Sequence, residues 1–172
     1  MIVITNKYDD LPAVSGAYVL LFKMAAKSRL LIPRFKSAVI KPGQYAYAGS
    51  ANGPGGIRAR CRRHLNKAAK LHWHIDHLTN TAQSIQVAAF PGGNECDLVA
   101  NILASGICET PLPGFGSTDC RTCLSHLIKL PHNWKSQILP LITMTQPRRQ
   151  VKIPFKPEAN TFWGAGNNEQ KT

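Results

Sequence analysis

Seven residues, Ser50-Ala51-Asn52-Gly53-Pro54-Gly55-Gly56, can continue neither a strand nor a helix, and they separate two segments of different period. Before them, Gln44 to Gly49 alternates tyrosine with small or polar residues, as a strand with one buried face does. After them, Ile57, Cys61, Leu65 and Ala68 recur at i, i+4, i+8 and i+11, the apolar stripe of a helix over residues 57–69. The chain must therefore build a strand, a tight glycine turn and a helix in that order. On that helix Arg60 and His64 stand one turn apart beside the stripe, while Arg62 and Arg63 point elsewhere.

The remaining elements follow from the same signals. Val14 to Phe22 is an apolar run rich in strand formers and opened by Ser15-Gly16. Leu30–Ile32 and Ala38–Ile40 are short extended pieces broken by Pro33 and Pro42-Gly43, which predicts a hairpin excursion over 30–41. His72 to Leu78 is a short helical turn or a packed connector. Ser84 to Phe90 is a strand, ended by Pro91-Gly92-Gly93. Glu95 to Ala104 is a second helix, with Leu98 and Ile102 inward and Glu95 in the first turn, where the dipole favours an acid. Thr110 to Asp119 is an irregular but ordered loop carrying Leu112 and Phe115, and Leu124 to Leu130 is a last strand or a helical turn. Beyond about Pro131 the apolar period fades, and from Pro147 the composition buries too little surface to fold. The expected organisation is a domain over 1–130 and a basic, partly disordered extension over 131–172, without internal repeats.

The net charge of +12 is concentrated: Arg58, Arg60, Arg62, Arg63, Lys67 and Lys70 fall within thirteen residues that contain no acid. Such a field suits a polyanion, with DNA as the expected partner and RNA not excluded. The plainer reading is the charged outer face of a solvated helix. No apolar run approaches the roughly 18 residues that a membrane span needs. Five cysteines, an odd number, without an export signal predict reduced thiols in the cytoplasm.

Gly16-Ala17-Tyr18 and Tyr47-Ala48-Gly49, followed by Arg60 and His64 at helical spacing, resemble the GIY-YIG nuclease superfamily. Gly43 to Ala51, His72-Trp73-His74-Ile75-Asp76 and Asp119 to Leu127 resemble more closely one subgroup of it, whose members are sometimes attached to an endonuclease-III-type repair enzyme. Both signature triplets carry alanine where isoleucine is usual, which changes packing volume and leaves the hydroxyls in place. The resemblance implies a small α+β fold: a three-stranded, mainly antiparallel sheet flanked by helices, with the 30–41 hairpin inserted. It also implies a metal-dependent endonuclease that hydrolyses DNA with Mg²⁺ or Mn²⁺, in repair or processing and alongside other repair proteins. In that scheme Tyr18 and Tyr47 lie side by side at the nucleophile and the scissile phosphate. Arg60 neutralises phosphoryl charge, His64 holds or relays a proton, and Glu95 binds the ion. Arg58, Arg62, Arg63, Lys67 and Lys70 would bind the nucleic-acid backbone.

Taken singly, each residue has a plainer role: a strand tyrosine is usually core, an arginine surface, and a helix-start glutamate a dipole partner. Tyr45 is assigned to packing or base stacking. A non-catalytic nucleic-acid-binding module on the same scaffold is the alternative function. Cys120-x2-Cys123-x2-His126 supplies three zinc ligands, with a fourth from His72, His74 or Cys108. Otherwise those thiols are simply buried, or they line the tyrosine cleft with Asp76 or Asp119 as an auxiliary carboxylate. A zinc-stabilised interaction domain is the third reading.

Overall fold

The strand predicted after Val14 and the tyrosine strand pair with each other, and this pair organises the molecule. The computed structural model describes residues 2–35, 38–67 and 69–144. Its strands are β1 (Val3–Thr5), β2 (Gly16–Met24), β3 (Ser28–Arg29), β4 (Val39–Ile40), β5 (Gly43–Ser50), β6 (Ser84–Pro91) and β7 (Leu127–Leu130). Its helices are α1 (Gly56–Leu65), α2 (Asp76–Thr79), α3 (Glu95–Leu103), α4 (Trp134–Gln137) and α5 (Leu139–Met144). The class is α+β. One antiparallel sheet of order β1-β6-β2-β5-β7 holds five strands, not the three expected. β6, β2 and β5 form its centre, and short edge strands are added on each side. β1 is only three residues long, too short to show a period, whereas β7 settles an ambiguous segment as a strand.

β2 is buried along nearly its whole length because both of its faces are covered, which is why its sequence is a continuous apolar run. One face packs Tyr18, Leu20, Phe22, Tyr45 and Tyr47 against Ile57 and Cys61 of α1. The other packs Ala17, Val19, Ala46, Ala48 and Ala88 against Leu98, Val99 and Ile102 of α3. The alanines of both triplets thus face α3, where small side chains let the helix lie close to the sheet.

The inserted excursion is present in altered form. Ser28 pairs with Ile40 and Arg29 with Val39, while Leu30–Ile32 is not a strand. Pro33 opens a 3-10 turn through Phe35, which ends the pairing and turns Leu30, Ile32 and Phe35 into the first core. α1 stops at Leu65 rather than continuing to 69. Lys67 adopts φ 52°, a left-handed conformation that no helix propagates; Ala68, expected on the apolar stripe, lies outside the described residues.

The fold runs past the boundary expected at 130. Trp134, Ile138 and Ile142 are buried in the second core, at i, i+4 and i+8 across α4 and α5. Pro131 and Pro140 obscure that period in the sequence. Of the basic extension expected over 131–172, residues 145–172 lie outside the described residues. Among those residues, no helix is long and apolar enough to cross a membrane.

Ile138 has no exposed surface. Ile138→Ala should therefore cost about 2–5 kcal/mol in urea unfolding, the range for a truncated core aliphatic. A loss below about 0.5 kcal/mol, as at ordinary surface positions, would place this segment outside the core.

Candidate active site

β2 and β5 pair in a register that sets Tyr18 opposite Gly49 and Leu20 opposite Tyr47, so the two tyrosines are diagonal neighbours on one face. Each ring lies against a glycine. A β-carbon on Gly49 would come within 2.5 Å of the Tyr18 hydroxyl, and one on Gly116 within 2.5 Å of the Tyr47 ring. The signature glycine is therefore a seat for the first tyrosine, and a larger residue would push the hydroxyl out of place. Tyr45 is a packing residue: its ring stacks on Phe22 and its hydroxyl donates to the Lys41 carbonyl at 2.8 Å.

Tyr18, Tyr47, Arg60 and Glu95 open into one cleft of about 360 Å³, with Trp73 and Asp119 also in its wall. Four of the five residues predicted to be catalytic thus converge from β2, β5, α1 and α3. The fifth, His64, is fully buried behind Tyr18. The Tyr18 hydroxyl donates to His64 Nε2 at 2.9 Å, and His64 Nδ1 faces Asp76 Oδ1 at 3.4 Å. Neither atom of that second pair has another partner, so the buried carboxylate fixes the tautomer with the proton on Nδ1. His64 does not line the cleft and meets it only through the Tyr18 hydroxyl.

Asp76, one of two expected auxiliary carboxylates, is structural. Its Oδ2 accepts from Arg63 at 2.8 Å and from the backbone N–H groups of His72 and Trp73 at 2.8 and 3.0 Å. Burial alone would raise its carboxyl; the hydrogen bonds from His64, Arg63 and the two backbone groups outweigh this and hold it far below the usual range. Burial pushes His64 down despite Asp76, so the imidazole is neutral near pH 7. Burial also raises both tyrosines, Tyr47 to about 12 and Tyr18 well above its ordinary value, so both remain phenols.

The basic residues divide. Arg60 lies 4.0 Å over the Trp73 ring and faces the cleft. Arg63, predicted to bind nucleic acid, is turned inward: it pairs with Asp76, donates to the Lys70 carbonyl and lies 4.8 Å over the same ring. A buried acid must find a cation within reach, and one turn of helix supplies it. Arg58 is tethered by Nε to the Leu11 carbonyl at 2.7 Å, and Arg62 lies over Tyr8 at 5.4 Å. Both residues are otherwise exposed, as are Lys67 and Lys70.

The cysteine cluster forms with an unforeseen member. Cys96, Cys120, Cys123 and His126 bring their ligand atoms within 4.8 Å of one another, a Cys3His set that could hold a metal ion such as zinc. The fourth ligand comes from the first turn of α3, not from His72, His74 or Cys108. His74 instead accepts from Gly116 N–H at 3.5 Å and packs its ring on Phe35, and Cys108 receives the Ser105 hydroxyl at 3.8 Å. Cys96 stands 24 residues before Cys120, so no spacing rule links them. Its place beside Glu95 was the one available signal.

Residues 17–146 match the model of a family described as a domain of unknown function, DUF123. The match spans most of the chain and includes α4 and α5, and the protein belongs to that family. No curated protein and no solved structure matches it.

Two outcomes follow from the buried relay. Asp76→Asn leaves Arg63 without its counter-charge and should cost about 3 kcal/mol in chemical unfolding, the low end for a broken buried pair because Arg63 still touches water. The folded His64 takes up its proton at lower pH than the unfolded chain does, so stability should fall as pH drops below about 6.5. Asp76 adds a second loss below about pH 4, toward its depressed folded value. Thermal melting across pH 5–7 should slope less in His64→Gln, and an unchanged slope would remove His64 as the cause.

Proposed function

We propose that this protein is a metal-dependent endonuclease of the GIY-YIG type, hydrolysing phosphodiester bonds in DNA during repair or processing. One observation carries the reading: Tyr18, Tyr47, Arg60 and Glu95 share a cleft, and Tyr18 is linked to a neutral buried imidazole backed by a carboxylate. The central β6-β2-β5 strands agree with the three-stranded sheet of that superfamily, with β1 and β7 as additions.

In this mechanism a water attacks phosphorus as the bond to the leaving oxygen breaks. The water's proton passes to the Tyr18 oxygen while the Tyr18 proton passes to His64 Nε2, and the imidazolium so formed faces Asp76. Tyr18 ends the step as a phenol, so no buried phenolate has to form, which burial would penalise heavily. Tyr47, held protonated, donates to a phosphoryl oxygen. Arg60 presents a forked, permanent cation to the charge that builds there.

The residues present fit a hard divalent ion. Among the described residues, the Glu95 carboxylate makes no hydrogen bond or ion pair, and Asp119 offers a second carboxylate in the same cleft wall. Magnesium is held by one or two carboxylates and retains several waters. Magnesium or manganese bound there would supply charge stabilisation at the leaving oxygen. Arg58, Arg62, Lys67 and Lys70 would contact backbone phosphates outside the cleft.

The test is cleavage of labelled duplex, branched and single-stranded DNA, and of RNA, with Mg²⁺ or Mn²⁺. Arg60→Ala and Glu95→Ala should each lower the rate by about 100-fold or more, with the fold intact by circular dichroism. Binding that weakens steeply with salt but never leads to a cut would make the chain a non-catalytic nucleic-acid-binding module.

A further inference from the structure

We propose that Cys96, Cys120, Cys123 and His126 bind one structural zinc ion, and that this ion clamps the first turn of α3, and with it Glu95, against the 117–126 segment.

The donor set comes from two separated stretches of chain and converges on one point. Cys96 Sγ lies 3.4 Å from Cys120 Sγ and 4.0 Å from His126 Nε2. With zinc–sulfur bonds of about 2.3 Å, two sulfurs on a tetrahedron are about 3.8 Å apart, so a single ion fits after shifts of a few tenths of an ångström. A cluster of several irons would hold the thiolates farther apart than the 4.8 Å span allows. Backbone N–H groups of Thr122 and Cys123 point at Cys120 Sγ from 3.4 and 3.1 Å, donors that favour a thiolate. All five cysteines are free, and Cys108 stands apart from the four-residue set.

Four protein ligands close the tetrahedron and leave no position for water or substrate, as in structural rather than catalytic zinc sites. The chemistry of the two metal positions then differs. Thiolates and imidazole select a borderline-soft ion, while the neighbouring carboxylates suit a hard one.

The clamp has a definite load. Residues 111–126 form no strand or helix and are tied internally by a few backbone bonds, among them Gly114 N–H to the Leu124 carbonyl and His126 N–H to the Phe115 carbonyl. Asp119 and Gly116, the seat of Tyr47, belong to this stretch. Glu95 precedes Cys96 directly, so a metal on Cys96 fixes the backbone that carries Glu95. The zinc site stands on its own geometry; the importance of holding Glu95 rests on the nuclease reading.

The full chain, purified without chelator, should carry one equivalent of zinc. Cobalt exchanged into it should give the intense visible bands of tetrahedral Co²⁺ and near-ultraviolet thiolate charge transfer. Under the same chelator challenge, Cys96→Ser should lose more than half of the metal, whereas Cys108→Ser should retain it. Stripping the wild type should speed amide hydrogen exchange at 95–98 and 117–124 at least tenfold, leaving β2 and β5 unchanged. Absence of zinc and of the cobalt spectrum would overturn the site, as would full retention by Cys96→Ser. Should Cys96→Ser not fold, the wild-type cobalt spectrum still decides. Metal retention with unaltered exchange at 95–98 would overturn the clamp. None of these measurements uses nucleic acid, so failure to cleave DNA would count against the nuclease alone.

Discussion

A carboxylate without exposed surface, Asp76, organises the working side of this molecule. Removing a charge from water costs several kcal/mol, and the cost is met only if donors converge from all sides. Here they come from α1 through Arg63 and His64, and from the connector through the N–H groups of His72 and Trp73. That convergence docks the connector on the helix, sets Trp73 beneath Arg60 and selects the imidazole tautomer that accepts from Tyr18. Without Asp76 the relay would lose its orientation and Trp73 its anchor. A single buried acid thus turns a helix, a loop and a strand into one site.

The sheet acts as a partition. On one side lie the tyrosines, α1 and the cleft; on the other, α3, α4 and α5 cover a floor rich in alanine. α3 belongs to both sides, because its buried residues pack on the floor while its first turn reaches around to the cleft with Glu95 and Cys96. Asn94 secures that turn by accepting from the N–H groups of Cys96 and Asp97. Short side chains at Ala17 and Ala48 are what permit the helix to sit close enough for this.

Much of this is written in the pleat. In Gly16-Ala17-Tyr18 and Tyr47-Ala48-Gly49 the tyrosines and Gly49 face the cleft and the middle residue faces α3, so three letters specify both surfaces of a strand. The central strands, α1 and α3 were legible from their periods and turn residues, whereas the gathering of Tyr18, Tyr47, Arg60 and Glu95 was expected only from the resemblance to the GIY-YIG superfamily. Other features depend on burial, which a sequence does not display. Arg63 reads as one more surface cation until Asp76 is seen to be buried beside it. The helical spacing of His64 does not reveal that its ring is wholly buried behind Tyr18. Cys96 is joined to Cys120 and Cys123 only by the fold, and α4 and α5 hide their apolar period behind two prolines.

Trp73 lies under two cations of the same helix, Arg60 at 4.0 Å and Arg63 at 4.8 Å. Asp76 pins one of them, while the other is held over the ring chiefly by the attraction of a guanidinium for an aromatic face, a modest force of about 0.5–2 kcal/mol. On the nuclease reading, a phosphate entering the cleft would compete with the indole for Arg60. Each arrival would then uncover one face of the ring to water and alter its fluorescence, and on that reading the cleft would carry its own optical gauge of occupancy.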